Sequence, residues 1–489
     1  EDIMKLTNLP LLQYATQSQI EELHQYSVRI LNELGMQVED AEIRTLLCNN
    51  GCTQKGDRVF FSADLIAAML QSLKQEVTMY AAATGEPTVL SLGTTSTHST
   101  GGVPWIVDMT SGKRRNGQLS DLIDAIHVMN QLPELDIPCA LIYPSDIPSE
   151  ITQLKQTATM LAHCSKPIYG PGVSQANNAK YIAELFQAYG GETLAQKPIG
   201  MVGISPQSPL GLPKEITDTM KYIIGAGIPT SILAAPMGGL TAPLSVTGTV
   251  AQAHAEILGF ACVAYLINPD CVLFYGARTF FANMKSAQSI LGLPETGISS
   301  ALAVQLATHC GFMTDVNGLA CTSCDMDEQA GYEKMMNALL PAMAGATLIT
   351  GIGSLASVMC TSLGQLVLDN EMMAMVRKAQ KALSFDPDDM GWDAIECVVQ
   401  DDDTFLVQDH TIEHLHDEVF ETDIGFDGVW ADWVSSNEVP LAVRAKERAC
   451  DLILRDQELH AKPSVQEKVD AIMAKAQQEL CPSQQDNLL

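Results

Sequence analysis

Positive charge is what this chain has least of. Its 489 residues hold 28 Lys and Arg against 58 Asp and Glu, a formal net charge of -30 at pH 7. A surface of that sign repels phosphate backbones, so nucleic acid is not an expected partner. Long apolar runs are missing too. The longest, residues 257–267, is about half of the ~20 residues that a membrane helix needs, so no membrane span is expected and the run reads as a buried helix. Residues 1–11 carry acids and no apolar core, so no secretory signal is expected there. No low-complexity tract interrupts the chain, which argues against disorder. The 13 cysteines are an odd, scattered set. They read as reduced thiols of a cytoplasmic protein rather than a disulfide framework.

What is present is a large core and a rhythm. With 46% hydrophobic residues and a mean hydropathy of +0.09, the chain can bury one big domain or two. Residues 1–94 read as a helical segment. Ile20, Leu23, Val28, Ile30, Leu31 and Leu34 make an apolar stripe stopped at Gly35, a second helix over 41–50 ends at Gly51, and Ser62 caps a third over 63–73 after a short strand. From about residue 95 short apolar strands end in Gly, Pro, Ser or Asn, and each leads into an amphipathic helix. The strands fall at 97–100, 137–143, 167–170, 199–204, 229–235, 271–275, 312–316 and 346–350. Eight such units between residues 95 and 384 predict parallel pairing with right-handed crossovers, and so an α/β fold closed as a (β/α)8 TIM barrel. An open doubly wound sheet is the alternative, weakened because no G-x-G-x-x-G follows the first strand. Residues 103–116, VPWIVDMTSGKRRN, read as a hairpin inserted after strand one. Residues 385–489 form a C-terminal extension packed on the barrel or on a partner. It begins with an acidic, loop-like stretch over 386–403 and continues as helices over 440–456 and 464–480.

A barrel carries its chemistry on the loops that follow its strands. Here those loops offer Tyr143, Tyr169, Gln207, Tyr275, Arg278, Phe281, Asp315, Asn317 and Cys324, with no close acid–base pair. Aromatic rings and carboxylates together suit a quaternary ammonium group, although aromatics also plug barrel mouths. Cys321-x-x-Cys324 invites a zinc or redox reading. Zinc needs two more ligands and no second C-x-x-C exists, while a thioredoxin-like pair would open a helix early in a βαβ unit. Pocket lining is the remaining reading. His410, His414 and His416 in QDHTIEHLHDE have a spacing that suits either a metal or a solvated helix start. His127, His163, His254 and His309 fall within helices and read as packing residues. Gly351-Ile-Gly-Ser354 stands where many barrels hold phosphate, a weak signal alone.

Four stretches then carry a resemblance. They are VDMTSGKRRNGQLSDLIDAIHVMNQLPELD (107–136), TAPLSVTGTVAQAHAEILGFACVAYLINPDCVLFYG (241–276), DEQAGYEKMMNALLPAMAGATLITGIGSL (328–355) and HTIEHLHDEVF (410–420). In colinear order from about residue 10 to 480, the chain resembles the trimethylamine methyltransferase family. The resemblance implies a TIM barrel that moves a methyl group from a methylated amine to the Co(I) of a separate corrinoid protein. Founding members carry pyrrolysine in the segment matching residues 321–328. Here that segment holds standard residues, which resembles the non-pyrrolysine branch acting on betaine- or carnitine-like quaternary amines.

A quaternary nitrogen already bears its charge, so its methyl can leave with no proton transfer. No catalytic acid or base is therefore expected, only orientation and cation holding. The implied substrate-binding set is Tyr143, Tyr169, Tyr275 and Phe281 as a cage, Arg278 for a substrate carboxylate, and Glu295 in GLPE facing the cation or capping its helix. Gln207, Asp315, Asn317, Cys324 and Gln329 are expected as lining. Two departures bear on the substrate: Asn283 stands where the family often has Asp, and Gly364 where a Ser-x-Glu is frequent. No tightly bound cofactor and no metal are expected, the corrinoid (cobalamin) arriving with its own protein. An assembly of identical chains is expected. The rival readings are a zinc-dependent corrinoid methyltransferase using Cys321 and Cys324, and a quaternary-amine binding protein without turnover.

Overall fold

The computed structural model describes residues 11–482 apart from 174, 402–403, 456–458 and 460. The expected helix end at Asp456 and part of the QDDDT run lie outside those residues. The core is a ring of parallel strands: β1 (Ser96–Ser99), β2 (137–142), β3 (Ile168–Tyr169), β4 (Gly200–Ile204), β5 (Thr230–Ala234), β6 (Leu273–Ala277), β7 (Met313–Asn317) and β8 (Leu348–Ile352). Seven of them form one continuous sheet in the order β1-β8-β7-β6-β5-β4-β3. The ring closes through β2, which is held only by isolated parallel bridges, His98 to Ile137 and Cys139 to Tyr169. Pro138 explains the irregularity, since it has no N–H to give to a ladder. The Cys139 N–H turns instead to Ser99 Oγ at 2.8 Å. The fold is thus a TIM-type barrel, with every predicted strand in place.

The helices follow from their caps and faces. Ser245 caps Val246–Ile267, Pro294 opens Pro294–His309, and Asp327 caps Glu328–Met343 by accepting from the Ala330 N–H at 2.8 Å. Val246–Ile267 is long and apolar enough to cross a membrane, but 83% of its most apolar window is buried in the fold. The expected apolar run at 257–267 is the second half of this core helix.

The N-terminal segment is less helical than its sequence suggests. Gln17–Arg29, Ala41–Asn49 and Ala63–Ser72 are helices, but Glu76–Tyr80 and Pro87–Ser91 pair as an antiparallel hairpin. Its Val77, Met79 and Leu90 pack against Ile137, Met201, Phe274, Met313 and Leu348 inside the ring. Each fully buried side chain of this kind contributes about 1.5–3 kcal/mol. The plug seals the end of the barrel where the strands begin, leaving the opposite end for a site.

The expected hairpin at 103–116 forms from Trp105–Val107 and Arg114–Asn116, and pairs in turn with Cys360–Thr361 beyond β8. Arg115 fixes it, with a two-pronged grip on Asp121 (both 2.7 Å) and a third contact to Asp108 at 2.9 Å. In the C-terminal extension, Leu441–Arg455 packs on Leu363–Ala379 and on Leu119–Asn130, and Pro463–Leu480 packs on Ala176–Gly190. The stretch read as loop contains a helix, Trp392–Asp401. Trp392, Ile395 and Val399 recur at three and four residues along it, and all three are exposed.

Candidate active site at the barrel mouth

At the open end lies a cavity of about 510 Å³. Its floor is built around one carboxylate. Asp315, at the middle of β7, is fully buried and collects four side chains from other strands or the loops after them. Oδ1 lies 2.9 Å from His98 Nε2 of β1 and accepts from Arg278 Nη2 at 2.5 Å, while Oδ2 accepts from Tyr169 at 3.0 Å and Ser231 at 2.7 Å. Arg278 also donates to the Asp315 carbonyl. The Tyr169 ring stacks on His98 with centroids 4.5 Å apart. Burial by itself would raise the Asp315 carboxyl, but Arg278 and His98 beside it hold it well below the usual carboxylate range. Burial pushes the Tyr169 hydroxyl far up, so it stays a donor.

Above this floor the walls carry Tyr143, Leu233, Phe280, Leu291 and Val358, with Asn317, Gln153 and Gln156 as polar points. Asn317 Nδ2 is anchored to the Thr279 carbonyl at 3.0 Å. The rim at residues 356–358 is strained: Ala356, Ser357 and Val358 all have left-handed φ, and Val358 sits at 66°, which a β-branched residue rarely adopts. Among the lining residues Arg278 is the one with a permanent charge, and no Asp or Glu is among them.

Of the residues expected at the site, Tyr143, Tyr169, Arg278 and Asn317 line the cavity and Asp315 underlies it. The others lie elsewhere, for identifiable reasons. Tyr275 alternates with Phe274 on β6: Phe274 points into the barrel, while Tyr275 faces the helical layer and meets His254 Nδ1 at 3.0 Å. The same one-residue phase puts Phe280 on the cavity and turns Phe281 into the packing. Gln207 is exposed, because its backbone closes a tight turn with Gly211 that leads away from the cavity, where Gly211 and Leu212 pair with Gln37 and Val38 of the N-terminal segment. Glu295 is exposed in the first turn of its helix, where an acid suits the helix dipole. Gln329 donates to Glu333 at 2.7 Å along its own helix. Cys324 is exposed, and Cys321 is buried against Ala330, Leu355 and Cys360, neither on the cavity wall.

His98, Ser231, Phe280 and Leu233 are among the contributors that sequence reasoning passed over, with Gln153, Gln156, Leu291 and Val358. A histidine inside the buried first strand, in STHST, was the available signal for the first of them.

Residues 3–481 match the family model described as trimethylamine methyltransferase (MTTB). The chain belongs to that family. It is 28% identical over 479 residues to trimethylamine methyltransferase MttB of Methanosarcina barkeri, covering 94% of each chain. It is 25% identical over 478 residues to glycine betaine methyltransferase of Desulfitobacterium hafniense, covering 96% of this chain and 98% of that one. In structure it resembles the Methanosarcina barkeri monomethylamine methyltransferase with a TM-score of 0.51 and 12% identity, over 95% of this chain and 88% of the other, a likeness of fold.

The two departures of this family member fall outside the cavity. Asn283 closes a turn by accepting from the Lys285 N–H at 2.9 Å. Gly364 lies under the C-terminal helix: a Cβ there would stand 3.1 Å from Lys446 Cγ and Met326 Sδ. The G-x-G-S turn is already engaged, since the Gly353 N–H donates to the Asp369 carboxylate at 2.6 Å. His410 and His414 stack at 4.1 Å and are held by Asp389, and among the described residues no group of three metal-ligating side chains includes them.

Proposed function

We propose that this methyltransferase demethylates a small quaternary amine that also carries a carboxylate, delivering the methyl group to the Co(I) of a corrinoid borne by a separate protein. The observation that carries the reading is the charge of the cavity wall, with Arg278 the permanent charge and no carboxylate among the lining residues. A bare cation would lose its hydration there without a counter-ion. A betaine brings its own. Its carboxylate takes the guanidinium donors that Asp315 and His98 leave unused, and its ammonium lies among the rings of Tyr143, Tyr169 and Phe280. Family membership supplies the reaction class, and one of the relatives is a glycine betaine methyltransferase.

In the reaction the methyl carbon–nitrogen bond breaks, the electron pair stays on nitrogen, and a neutral tertiary amine leaves. The methyl carbon bonds to the cobalt, which supplies the pair. No proton moves, so the site need only orient the methyl group toward the mouth and hold the anion behind it. The test is a spectroscopic screen for amine-dependent methylation of a Co(I) corrinoid protein, with carboxylated betaines against choline and tetramethylammonium. Turnover of betaines over the carboxylate-free amines is expected. Equal turnover of both classes removes the role of Arg278. Betaine binding without methylation favours the binding-protein alternative.

A further inference from the structure

On the flank of the barrel, outside the cavity, three metal-ligating side chains from three helical elements converge. His24 lies on Gln17–Arg29, His254 on Val246–Ile267, and Cys310 immediately follows Pro294–His309. Their ligand atoms all lie within 4.8 Å of one another. His24 Nδ1 is 3.0 Å from His254 Nε2, and Cys310 Sγ is 3.4 Å from the first and 3.9 Å from the second. Zinc binds nitrogen at about 2.0–2.1 Å and sulfur at about 2.3 Å, which gives a tetrahedron edges of about 3.3 Å between nitrogens and about 3.5 Å between nitrogen and sulfur. The three observed separations are one face of such a tetrahedron to within a few tenths of an ångström. We infer that His24, His254 and Cys310 form a site for a divalent zinc-like ion, which pins the N-terminal helix to two barrel helices.

The surroundings fit. Tyr275, the aromatic that faces away from the cavity, holds His254 Nδ1 at 3.0 Å, which fixes the ring and leaves Nε2 toward the ion. A thiol binds such an ion as the thiolate, so binding releases the Cys310 proton. His309 is the nearby fourth candidate, but Gln17 takes its Nδ1 at 2.9 Å and Glu21 its Nε2 at 2.9 Å. Among the described residues no fourth metal-ligating side chain joins the group. The site is separate from Cys321 and Cys324, and it does not depend on the substrate proposed above.

The experiment uses the full chain, purified from zinc-replete cells without a metal-affinity tag. Metal content is measured after gel filtration, and the metal-stripped protein is titrated with Co(II). Stoichiometric zinc and a thiolate-to-cobalt charge-transfer band are expected. Cys310→Ser should lose the band, and Tyr275→Phe, which keeps all three ligands, should weaken Co(II) binding roughly ten- to a hundredfold. Circular dichroism shows that each variant is folded. Substoichiometric zinc with no thiolate band, or an unchanged cobalt spectrum in folded Cys310→Ser, overturns the site and leaves a hydrogen-bonded cluster.

Discussion

Two buried carboxylates stand at the same end of the barrel, each beside a cation, and they serve opposite ends. Asp315 shares its oxygens among His98, Tyr169, Ser231 and Arg278, and Arg278 keeps 15% of its side chain exposed. Asp369 meets Lys334 at 3.0 Å, and both side chains are wholly buried. Lys334 also donates to the Leu319 carbonyl at 2.8 Å, and Asp369 takes the Gly353 N–H, so this pair ties the loops after β7 and β8 together. One ion pair is open to a ligand and the other is closed. The difference lies in what the cation faces, which no residue type announces. The largest break in the comparison is therefore Lys334→Met, which leaves Asp369 buried without its cation. It should cost about 3–5 kcal/mol in urea unfolding. Lys334→Met with Asp369→Asn should recover a good part of that. A loss below about 1 kcal/mol for the single variant would mean that the pair is not a clasp.

Acid sharpens the contrast. The folded pKa of Asp315 is depressed, so its folded form binds fewer protons than the unfolded chain. Its contribution is complete above about pH 4 and drains away as pH falls below that toward the folded value. Asp369 is raised by burial, against the pull of Lys334. It therefore has the opposite sign: its contribution diminishes as pH rises from about 4 to its folded value. Urea titrations across this range should show Asp315→Asn flattening the loss of stability below about pH 4. Asp369→Asn should steepen the slope just above it. Each pKa unit involved carries about 1.4 kcal/mol. Matching slopes in the two variants would erase the distinction between the pairs.

These contrasts also mark where reading the sequence stops. All eight strand positions were legible, most of them because strands buried on both faces read as apolar runs cut by Gly and Pro; the first, STHS, is polar and was legible only from its place in the rhythm. The hairpin at 103–116 was legible from its turn. The phase within a strand was not. Tyr275 and Phe281 each lie one residue from Phe274 and Phe280, and a one-residue shift exchanges cavity for packing. The hairpin at 76–91 was hidden inside a segment read as helical. The Asp315 cluster draws side chains from five places in the barrel, and the His24, His254 and Cys310 cluster from three helical elements. Neither leaves a local spacing to find.

The smallest effect belongs to the pair with the most suggestive spacing. Cys321 is buried, its Sγ reaches the Ser354 carbonyl at 3.5 Å across the loops after β7 and β8, and burial pushes its thiol up to about 11. Cys324 is exposed and its Sγ lies 3.9 Å from the Thr322 carbonyl on its own loop. A metal clasp would need both, whereas packing needs only the first. Cys321→Ser puts a hydroxyl in an apolar contact and should cost about 1–2 kcal/mol. Cys324→Ser should stay within about 0.5 kcal/mol, as surface changes usually do, and should leave the affinity for the active amine unchanged within about twofold. Thermal melts and amine titrations check both. An equal, large loss from the two substitutions would restore the clasp, and would move the chemistry from the cavity floor at Asp315 to the loop above it.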